Sequence, residues 1–202
     1  KDNTPFDATG GAKSLQLFGA TGDTARAVDN FQVGPYNPVD LCRLECWMAT
    51  NCPLDKVYVE IYENICNMPG SKLLTIDLTA DSDGDGKADY PIAEDTGLDY
   101  LGCDIYHLIW PELDGYVLDP GRDYWISFVA KGTGSILDKA YWMYKATSAC
   151  GICITEGKVK DPFVLGLEDF TYVSVATSGA PREFAFRVFT NHRTPDKEEL
   201  AP

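Results

Sequence analysis

The chain has 202 residues, of which 45% are hydrophobic and 24% charged, a composition typical of one globular domain built around a single core. Its 17 basic and 31 acidic residues give a formal net charge of −14 at neutral pH. A field of this sign repels phosphate backbones and anionic lipid surfaces, so we expect no nucleic-acid partner. The sequence also lacks a run of about eighteen apolar residues and therefore predicts no membrane-spanning segment.

Apolar and polar residues alternate in many short segments, which is the pattern of half-buried β-strands. In chain order, the predicted strands cover residues 15–18, 27–33, 57–62, 72–78, 104–110, 124–129, 139–144, 171–176 and 183–189. A turn is predicted at residues 67–70, and only residues 41–49 have the composition of a short helix. Many short strands separated by turn residues favour an all-β fold, and we predict an antiparallel β-sandwich with at most one short helix.

The two ends of the sequence differ from its middle. Residues 1–13 are mostly small and polar, and the residues from His192 onward are charged and include two prolines. We therefore predict an N-terminal extended arm over residues 1–13, a β-sandwich domain over residues 14–190 and a C-terminal polar tail over residues 191–202. Such tails become ordered when they lie against their own domain or against a neighbouring subunit.

The chain contains seven cysteines, which is many for a reducing compartment and common outside the cell. It also begins with Lys1 rather than methionine, as a secreted protein does once its signal peptide is removed. We therefore expect a secreted or cell-surface protein with disulfides, although an odd number leaves at least one cysteine outside intramolecular pairs. A metal cluster or an intermolecular bridge is the alternative, and the spacing leaves the pairing open. The candidate disulfide cysteines are Cys42, Cys46, Cys52, Cys66, Cys103, Cys150 and Cys153.

The acidic segment over residues 81–89 is the most specific motif in the sequence. Its carboxylates at the first, third, fifth and ninth positions and its glycine at the sixth match the front half of an EF-hand calcium loop. Ile92 stands where an EF-hand has its bidentate glutamate, so further ligands would have to come from neighbouring segments. The motif predicts structural Ca²⁺, and a solvated acidic hairpin is the alternative. The predicted ligands are the side chains of Asp81, Asp83, Asp85 and Asp89 and the backbone carbonyl of Lys87.

Motifs for cofactor binding and catalysis are weak or missing. A glycine-rich turn at residues 19–25 resembles the start of a dinucleotide-binding unit, but Gly34 and Pro35 interrupt the segment where its helix would have to form. The sequence lacks the common nucleophile, zinc-protease and phosphate-loop motifs, and His107 and His192 lie outside any such motif. We therefore predict that the protein is not an enzyme.

The aromatic content supports a second interpretation. The chain has four tryptophans and eleven tyrosines, and flat rings on a sheet face can stack on sugars. Trp110 and Trp142 are the candidate stacking residues, although their strands also need apolar side chains for the core. A carbohydrate-binding module is therefore the alternative function. A glycoside-acting hydrolase that uses paired carboxylates is less favoured.

Several segments together resemble a module that is common in secreted bacterial proteins, including those with C-terminal sorting anchors. These segments are residues 29–33, 59–62, 68–70, 118–127 and 184–188. The resemblance implies a jelly-roll-like β-sandwich at or outside the cell surface and implies no reaction. The acidic motif in turn resembles the calcium repeats of type 3 thrombospondin modules.

We therefore expect a non-catalytic, secreted, calcium-binding β-sandwich that acts as a structural or adhesive extracellular protein. Self-assembly into an oligomer or a filament is one expected form, because exposed sheet edges can pair with a neighbouring copy. The expected partners are other copies of the chain or glycans, and Ca²⁺ is the expected cofactor.

Overall fold

The computed structural model describes residues 6–13, 15–16, 24–54, 57–76, 91–111, 113, 115–133, 137–145, 157–161, 167–172 and 184–192. In these ranges the chain forms strands, turns and short connections, and no α-helix. Accordingly, none of the described residues belongs to a helix long and apolar enough to span a membrane.

The described strands are numbered in chain order. They are β1 (Phe6–Lys13), β2 (Leu15–Gln16), β3 (Thr24–Gln32), β4 (Val39–Thr50), β5 (Val57–Ile65), β6 (Met68–Ile76), β7 (Ile92–Tyr100), β8 (Cys103–Trp110), β9 (Val117–Leu118), β10 (Asp123–Lys131), β11 (Ala140–Lys145), β12 (Lys158–Asp161), β13 (Leu167–Tyr172) and β14 (Phe186–His192). The prediction of an all-β chain is confirmed.

The strands form two seven-stranded sheets. Sheet 1 has the order β1-β11-β4-β8-β7, with β9 and β14 also paired to β4. Sheet 2 has the order β13-β12-β3-β2-β10-β5-β6, with β3 also paired to β10. Among the described pairings only β2 with β10 is parallel. Consecutive strands often lie in different sheets, so the chain crosses between the two layers repeatedly.

The first strand comes from the predicted N-terminal arm. Residues 6–13 form β1, which pairs with β11 at one end of sheet 1. At Gly11 a side chain would lie 2.9 Å from the backbone oxygen of Trp142, so this pairing needs a glycine there.

β4 is the central strand of sheet 1. It pairs with β8 and β9 on one side and with β11 and β14 on the other. Residues 41–49, which were predicted to form a short helix, lie inside this strand, so that prediction was wrong. Leu44 and Met48 face the main core, whereas Trp47 and Ala49 are buried on the opposite face. A strand that is covered on both faces does not show the alternation of a half-buried strand.

One hydrophobic core lies between the two sheets. Phe128 of sheet 2 stacks on Trp110 of sheet 1 with ring centroids 5.5 Å apart, and it meets Trp142 edge-on at 5.1 Å. Trp142 also stacks on Phe184 at 4.6 Å and contacts Phe186 at 5.6 Å. The same cluster includes residues of β3, β5 and β10 from one sheet and of β4, β8 and β11 from the other. The two sheets therefore pack face to face.

The turn after β5 and strand β7 both differ from the sequence prediction. The turn between β5 and β6 is centred on Cys66 and Asn67, with φ angles of 52° and 62°, and β6 already begins at Met68. Two consecutive residues of positive φ are what a tight type I′ hairpin turn requires. The sequence did not predict β7, because its residues are largely polar and exposed and show no apolar alternation.

A buried carboxylate links the two sheets through a hydrogen bond. Asp29 of β3 is fully buried, and its Oδ2 accepts a hydrogen bond from the backbone N–H of Phe184 at 2.7 Å. Its Oδ1 accepts another from the N–H of Asn30, also at 2.7 Å. Phe184 belongs with sheet 1, because it forms a bridge with Tyr144 of β11. The bond to Phe184 therefore joins the two layers between residues that are 155 positions apart.

Substitution of Asp29 should show how much this hydrogen bond contributes to the free energy of unfolding. Asp29→Ala leaves the buried N–H of Phe184 without its acceptor, and we expect a loss of about 1–3 kcal/mol in the free energy of unfolding. Asp29→Asn retains an acceptor oxygen and should lose less. Urea denaturation of the three proteins at neutral pH measures the difference. An Asp29→Ala variant as stable as the wild type would contradict the role given to this bond.

Candidate functional site

Trp110 and Trp142, the predicted stacking residues, lie in the core. Trp110 is 1% exposed and Trp142 is fully buried. The indole N–H of Trp142 donates to the backbone oxygen of Ala185 at 2.9 Å, which satisfies its polar atom inside the core. Neither ring is accessible to a ligand, so the prediction of a sugar-stacking platform at these residues was wrong. The core takes the face of β11 that carries Trp142 and Tyr144.

Five of the seven candidate disulfide cysteines are described, and each is a free thiol: Cys42, Cys46, Cys52, Cys66 and Cys103. Cys46 faces the core from the middle of β4, whereas Cys66 is exposed in the turn after β5. Burial raises the pKa of the Cys46 thiol well above its usual value, so this thiol stays protonated and unreactive. The disulfides predicted from composition are therefore not formed among these five. Cys150 and Cys153 lie outside the described residues.

The predicted calcium ligands Asp81, Asp83, Asp85, Lys87 and Asp89 lie outside the described residues. The topology still shows what their segment connects. Residues 77–91 join β6, an edge strand of sheet 2, to β7, an edge strand of sheet 1. In the part of the chain that the structure describes, no group of three or more His, Cys, Asp or Glu side chains is placed to hold a metal ion.

The outer face of sheet 2 carries a buried ion-pair network centred on Glu60. Tyr58, Glu60 and Tyr62 share this face, because side chains two residues apart on a strand point the same way. Arg26 of β3 donates from Nε to Glu60 Oε2 at 2.6 Å and from Nη2 to the Tyr58 hydroxyl oxygen at 2.8 Å. The Tyr62 hydroxyl donates to Glu60 Oε2 at 2.5 Å, and Lys72 of β6 donates to Oε1 at 3.1 Å. Both oxygens of this carboxylate are therefore occupied by protein donors.

The network fixes the charge of its members. Burial alone would raise the pKa of Glu60, but the hydrogen bond and the charge of Arg26 more than offset it and hold that pKa below its usual value. Burial likewise opposes the charge of Arg26, and Glu60 reverses the effect and raises the pKa of Arg26. Burial and then the adjacent carboxylate raise the pKa of Tyr62 strongly. Glu60 is therefore ionised at neutral pH and holds no proton that a general acid could donate.

The β12–β13 hairpin covers part of the same face. Lys158 of β12 is fully buried, and its Nζ lies 3.9 Å from the centroid of the Trp125 ring and 4.2 Å from that of Tyr172. Phe170 of β13 meets Tyr62 edge-on at 5.8 Å. A desolvated cation on aromatic faces gains about 2 kcal/mol from the ring quadrupoles. The hairpin thus closes over these rings instead of leaving them as a flat exposed surface.

The outer face of sheet 1 carries a second cluster, centred on Glu45 of β4. Its side chain is 1% exposed and contacts Arg43 Nη2 at 2.5 Å and Arg187 Nη1 at 3.2 Å. His107 of β8 places Nε2 at 3.1 Å from Glu45 Oε2 and Nδ1 at 3.2 Å from Glu94 Oε2. The imidazole therefore lies between a buried carboxylate of the central strand and an exposed one of β7.

This second carboxylate is also ionised. Burial opposes its charge, but hydrogen bonds from Arg43, His107 and Arg187 outweigh that effect and lower the pKa of Glu45. The ring of His107 stacks on Trp47 with centroids 4.3 Å apart and only 3° between the ring planes. Among the described residues no serine, threonine or cysteine is hydrogen-bonded to this imidazole, which a nucleophile–base pair would require.

A polar cavity of about 290 Å³ opens in sheet 2 where β5 ends and β10 begins. It is lined by Glu63, Asn64, Arg122, Asp123 and Tyr124. Glu63 at the end of β5 is paired with Tyr124 at the start of β10, which brings the lining residues of the two strands together. Carboxylate, amide and guanidinium groups therefore meet at an opening to solvent.

None of these three sites was predicted from the sequence. A glutamate at position 60, on the alternating polar face of a predicted strand, was the available signal for the first network. Its partner Arg26 is 34 residues away, and the two meet only because β3 and β5 flank β10. The sheet order that brings such residues together is not readable from alternation alone.

Comparison with known proteins places the chain in no family. No family model matches it, and no curated protein matches it. Among solved structures it is similar to the cysteine protease and lectin-like domains of Cwp84, a surface layer associated protein of Clostridium difficile, with 11% identity and a TM-score of 0.46. The match covers 84% of this chain and 32% of the Cwp84 chain, so this chain spans about a third of the length of the Cwp84 chain. A likeness at this level supports no functional conclusion.

The Glu60 network predicts how stability responds to acid. Because the pKa of Glu60 is lower in the folded chain, its contribution to the free energy of unfolding is complete above the unfolded pKa of about 4.3 and is lost as the pH falls through the folded pKa. Glu60→Gln should be less stable at neutral pH, since it leaves Arg26 buried without its anion. It should also lose less stability between about pH 5 and pH 3.

Urea denaturation at a series of pH values measures this effect. Asp99→Asn, at an exposed position of β7, removes one carboxylate elsewhere and should keep the wild-type pH dependence. If the Glu60→Gln curve runs parallel to that of the wild type, the network does not carry the acid sensitivity assigned to it.

Proposed function

We propose that this chain is a non-catalytic, jelly-roll-like β-sandwich with a structural or adhesive role outside the cell or at its surface, and that residues 81–89 bind Ca²⁺. The observation that carries the non-catalytic assignment is the saturation of two buried glutamates, Glu45 and Glu60, by basic side chains. Apart from the Arg43–Glu45 contact within β4, these contacts join different strands of one sheet, which suits a structural role.

The state of these carboxylates argues against hydrolysis. A glycosidase needs one carboxyl group that stays protonated at its working pH and reaches the substrate. The side chains of Glu60 and Glu45 are 2% and 1% exposed, and both pKa values are lowered. His107 is engaged by Glu45 and Glu94. These groups are placed to hold strands together, and a glycoside-acting hydrolase stays the less favoured alternative.

The place of the acidic segment in the topology supports a stabilising role for calcium. It lies in the connection between β6 and β7, which are the end strands of their respective sheets. A cation bound by Asp81, Asp83 and Asp85 would shorten that connection and restrain both edge strands. It would also relieve repulsion in a chain whose net charge is −14.

Exposed apolar side chains on the same two strands support self-assembly. Leu73 on β6 is 53% exposed, and Ile92 and Leu98 on β7 are 52% and 48% exposed. End strands with exposed apolar residues can pair with a neighbouring copy or accept its extended tail. Assembly through these edges would fit a structural or adhesive role.

Calcium should bind the native chain and raise its unfolding temperature. At a free concentration about 100 times the dissociation constant, linkage gives about 2.7 kcal/mol of stabilisation. The double variant Asp83→Asn/Asp85→Asn should lose both the heat of binding and the calcium-dependent rise in Tm, because it removes two charged ligands.

The control for this experiment is Asp99→Asn/Asp104→Asn, which removes two charges from the paired strands β7 and β8. This variant should keep the calcium response. Isothermal titration calorimetry and thermal unfolding in Ca²⁺ and in EDTA supply the measurements. No heat of binding in the wild type, together with equal Tm values in the two buffers, would refute calcium binding.

Assembly should appear in solution as a mass above the 22.2 kDa of one chain. Light scattering in the presence of Ca²⁺, with increasing protein concentration, is the measurement. Leu73→Lys and Ile92→Lys should each reduce the mass, because a charge on an edge strand opposes strand pairing. Leu137→Lys changes a residue that is 69% exposed outside these strands and serves as the control. A wild type that stays monomeric at the highest concentration argues against the assembly proposal.

A further inference from the structure

The polar cavity where β5 ends and β10 begins shares no lining residue with the Glu60 network or the Glu45 cluster. Its volume of about 290 Å³ lies just below the usual range for ligand pockets, about 300–1,000 Å³. Glu63 and Asp123 supply carboxylate oxygens, Asn64 an amide and Arg122 a guanidinium. The space suits one small polar ligand or the terminal unit of a longer one.

Two of the lining groups are held in place by their neighbours. Glu63 accepts a hydrogen bond from the backbone N–H of Ser71 at 2.9 Å. Hydrogen bonds from Ser71, and to a smaller extent the charge of Arg122, lower the pKa of Glu63, so this group is an ionised acceptor at neutral pH. Asn64 accepts at Oδ1 from Trp125 Nε1 at 3.2 Å, which fixes the orientation of its amide. A ligand would therefore meet preorganised polar groups.

An exposed aromatic ring lies on a loop that is hydrogen-bonded to the turn carrying Arg122, one of the residues that line the cavity. The N–H of Val33 donates to the carbonyl of Arg122, and the N–H of Gly121 donates to the carbonyl of Gly34, both at 2.9 Å. These bonds fasten the β3–β4 loop to the turn that carries Arg122. Tyr36 in that loop is 87% exposed, more than any other large hydrophobic residue that the structure describes.

We propose that Tyr36 and this cavity bind a neutral sugar residue at the end of a glycan. The tyrosine ring offers a flat face for the C–H side of a pyranose. The carboxylates of Glu63 and Asp123 accept hydrogen bonds from sugar hydroxyls, and the guanidinium of Arg122 donates to sugar oxygens. This combination of a flat ring with donors and acceptors is what a polyhydroxylated ring requires.

The net charge of the residues around the cavity determines which class of sugar fits. Arg122 is paired with Asp119, with Nε 3.4 Å from Oδ2, so Glu63 and Asp123 leave the neighbourhood net negative. The whole chain has the same sign at −14. Carboxylated or sulfated sugars are therefore repelled, and a neutral hexose fits best.

This site differs from the stacking site that the sequence suggested. Trp110 and Trp142 are core residues, whereas Tyr36 stands between Pro35 and Pro38 on a loop at the end of the sheets. Prolines restrict the unbound loop, which lowers the entropy lost on binding. A glycan bound here would be the partner in the proposed adhesive role, and its binding does not require calcium.

A glycan array carrying neutral, amino and acidic oligosaccharides tests the proposal with the labelled native chain in Ca²⁺. We expect binding to neutral hexose-terminated glycans, followed by calorimetry on the strongest one. Tyr36→Ala and Arg122→Ala should each weaken binding about tenfold. Phe189→Ala, which removes an aromatic ring that is 40% exposed on β14 of the other sheet, is the matched control and should bind like the wild type. Circular dichroism and thermal unfolding check that each variant is folded.

Three results would overturn the proposal: no glycan bound by the wild type at about 1 mM, binding restricted to acidic glycans, or unchanged affinity in both site variants. Arg122→Lys keeps the positive charge but loses the planar guanidinium, and an affinity between those of wild type and Arg122→Ala would support direct hydrogen bonding.

Repeating the assay with Asp83→Asn/Asp85→Asn separates the sugar-binding proposal from the calcium proposal. Sugar binding that persists in this variant supports an independent site, and sugar binding lost with the calcium response contradicts one.

Discussion

The contact of Phe128 with Trp110 and Trp142 is the interaction on which the two-sheet arrangement depends. It joins one strand of sheet 2 to two strands of sheet 1, and aromatic pairs of this geometry contribute about 0.5–1.5 kcal/mol each beyond the area they bury. Because these large rings fill the space between the sheets, they are withdrawn from the surface. The proposed sugar site therefore lies in loops at the sheet ends, which can vary without disturbing the core.

Each sheet also has a buried carboxylate on its outer face. Glu45 and Glu60 each have a basic partner on a neighbouring strand, Arg187 and Lys72 respectively, and the Arg26–Glu60 pair reaches across β10 from β3 to β5. A shift in strand register by one residue would move such a side chain to the opposite face and leave its partner without a counter-charge. A buried pair of this kind adds little net stability by comparison with a well-packed apolar pair, yet breaking it is costly. We therefore regard these networks as devices that select one register.

Local pattern was enough to predict the all-β class and strands such as β5, β8 and β10, because β-branched and aromatic residues are frequent in these segments, although β5 and β10 are largely buried on both faces. The prediction was wrong at β4, because residues 41–49 are rich in Leu, Arg, Glu, Met and Ala, which favour a helix. β7 was not predicted, because this exposed edge strand has no apolar face. The partners of Glu60 and the lining of the cavity depend on sheet order, which alternation does not encode. Tyr36 was indistinguishable in sequence from the other tyrosines.

The pairing of β14 with the central strand β4, together with the bond between Asp29 and Phe184, has a consequence for biosynthesis. Neither the β4–β14 pairing in the middle of sheet 1 nor the hydrogen bond between Asp29 and Phe184 can form before residues 184–192 have been synthesised. Until that segment has been synthesised, residues 39–46 of β4 have no paired strand on one side. Contacts so distant in sequence slow folding and expose aggregation-prone strands in the meantime. The nascent chain therefore has to be kept apart from its copies, and a product truncated before residue 184 would be an open sheet rather than a smaller working domain.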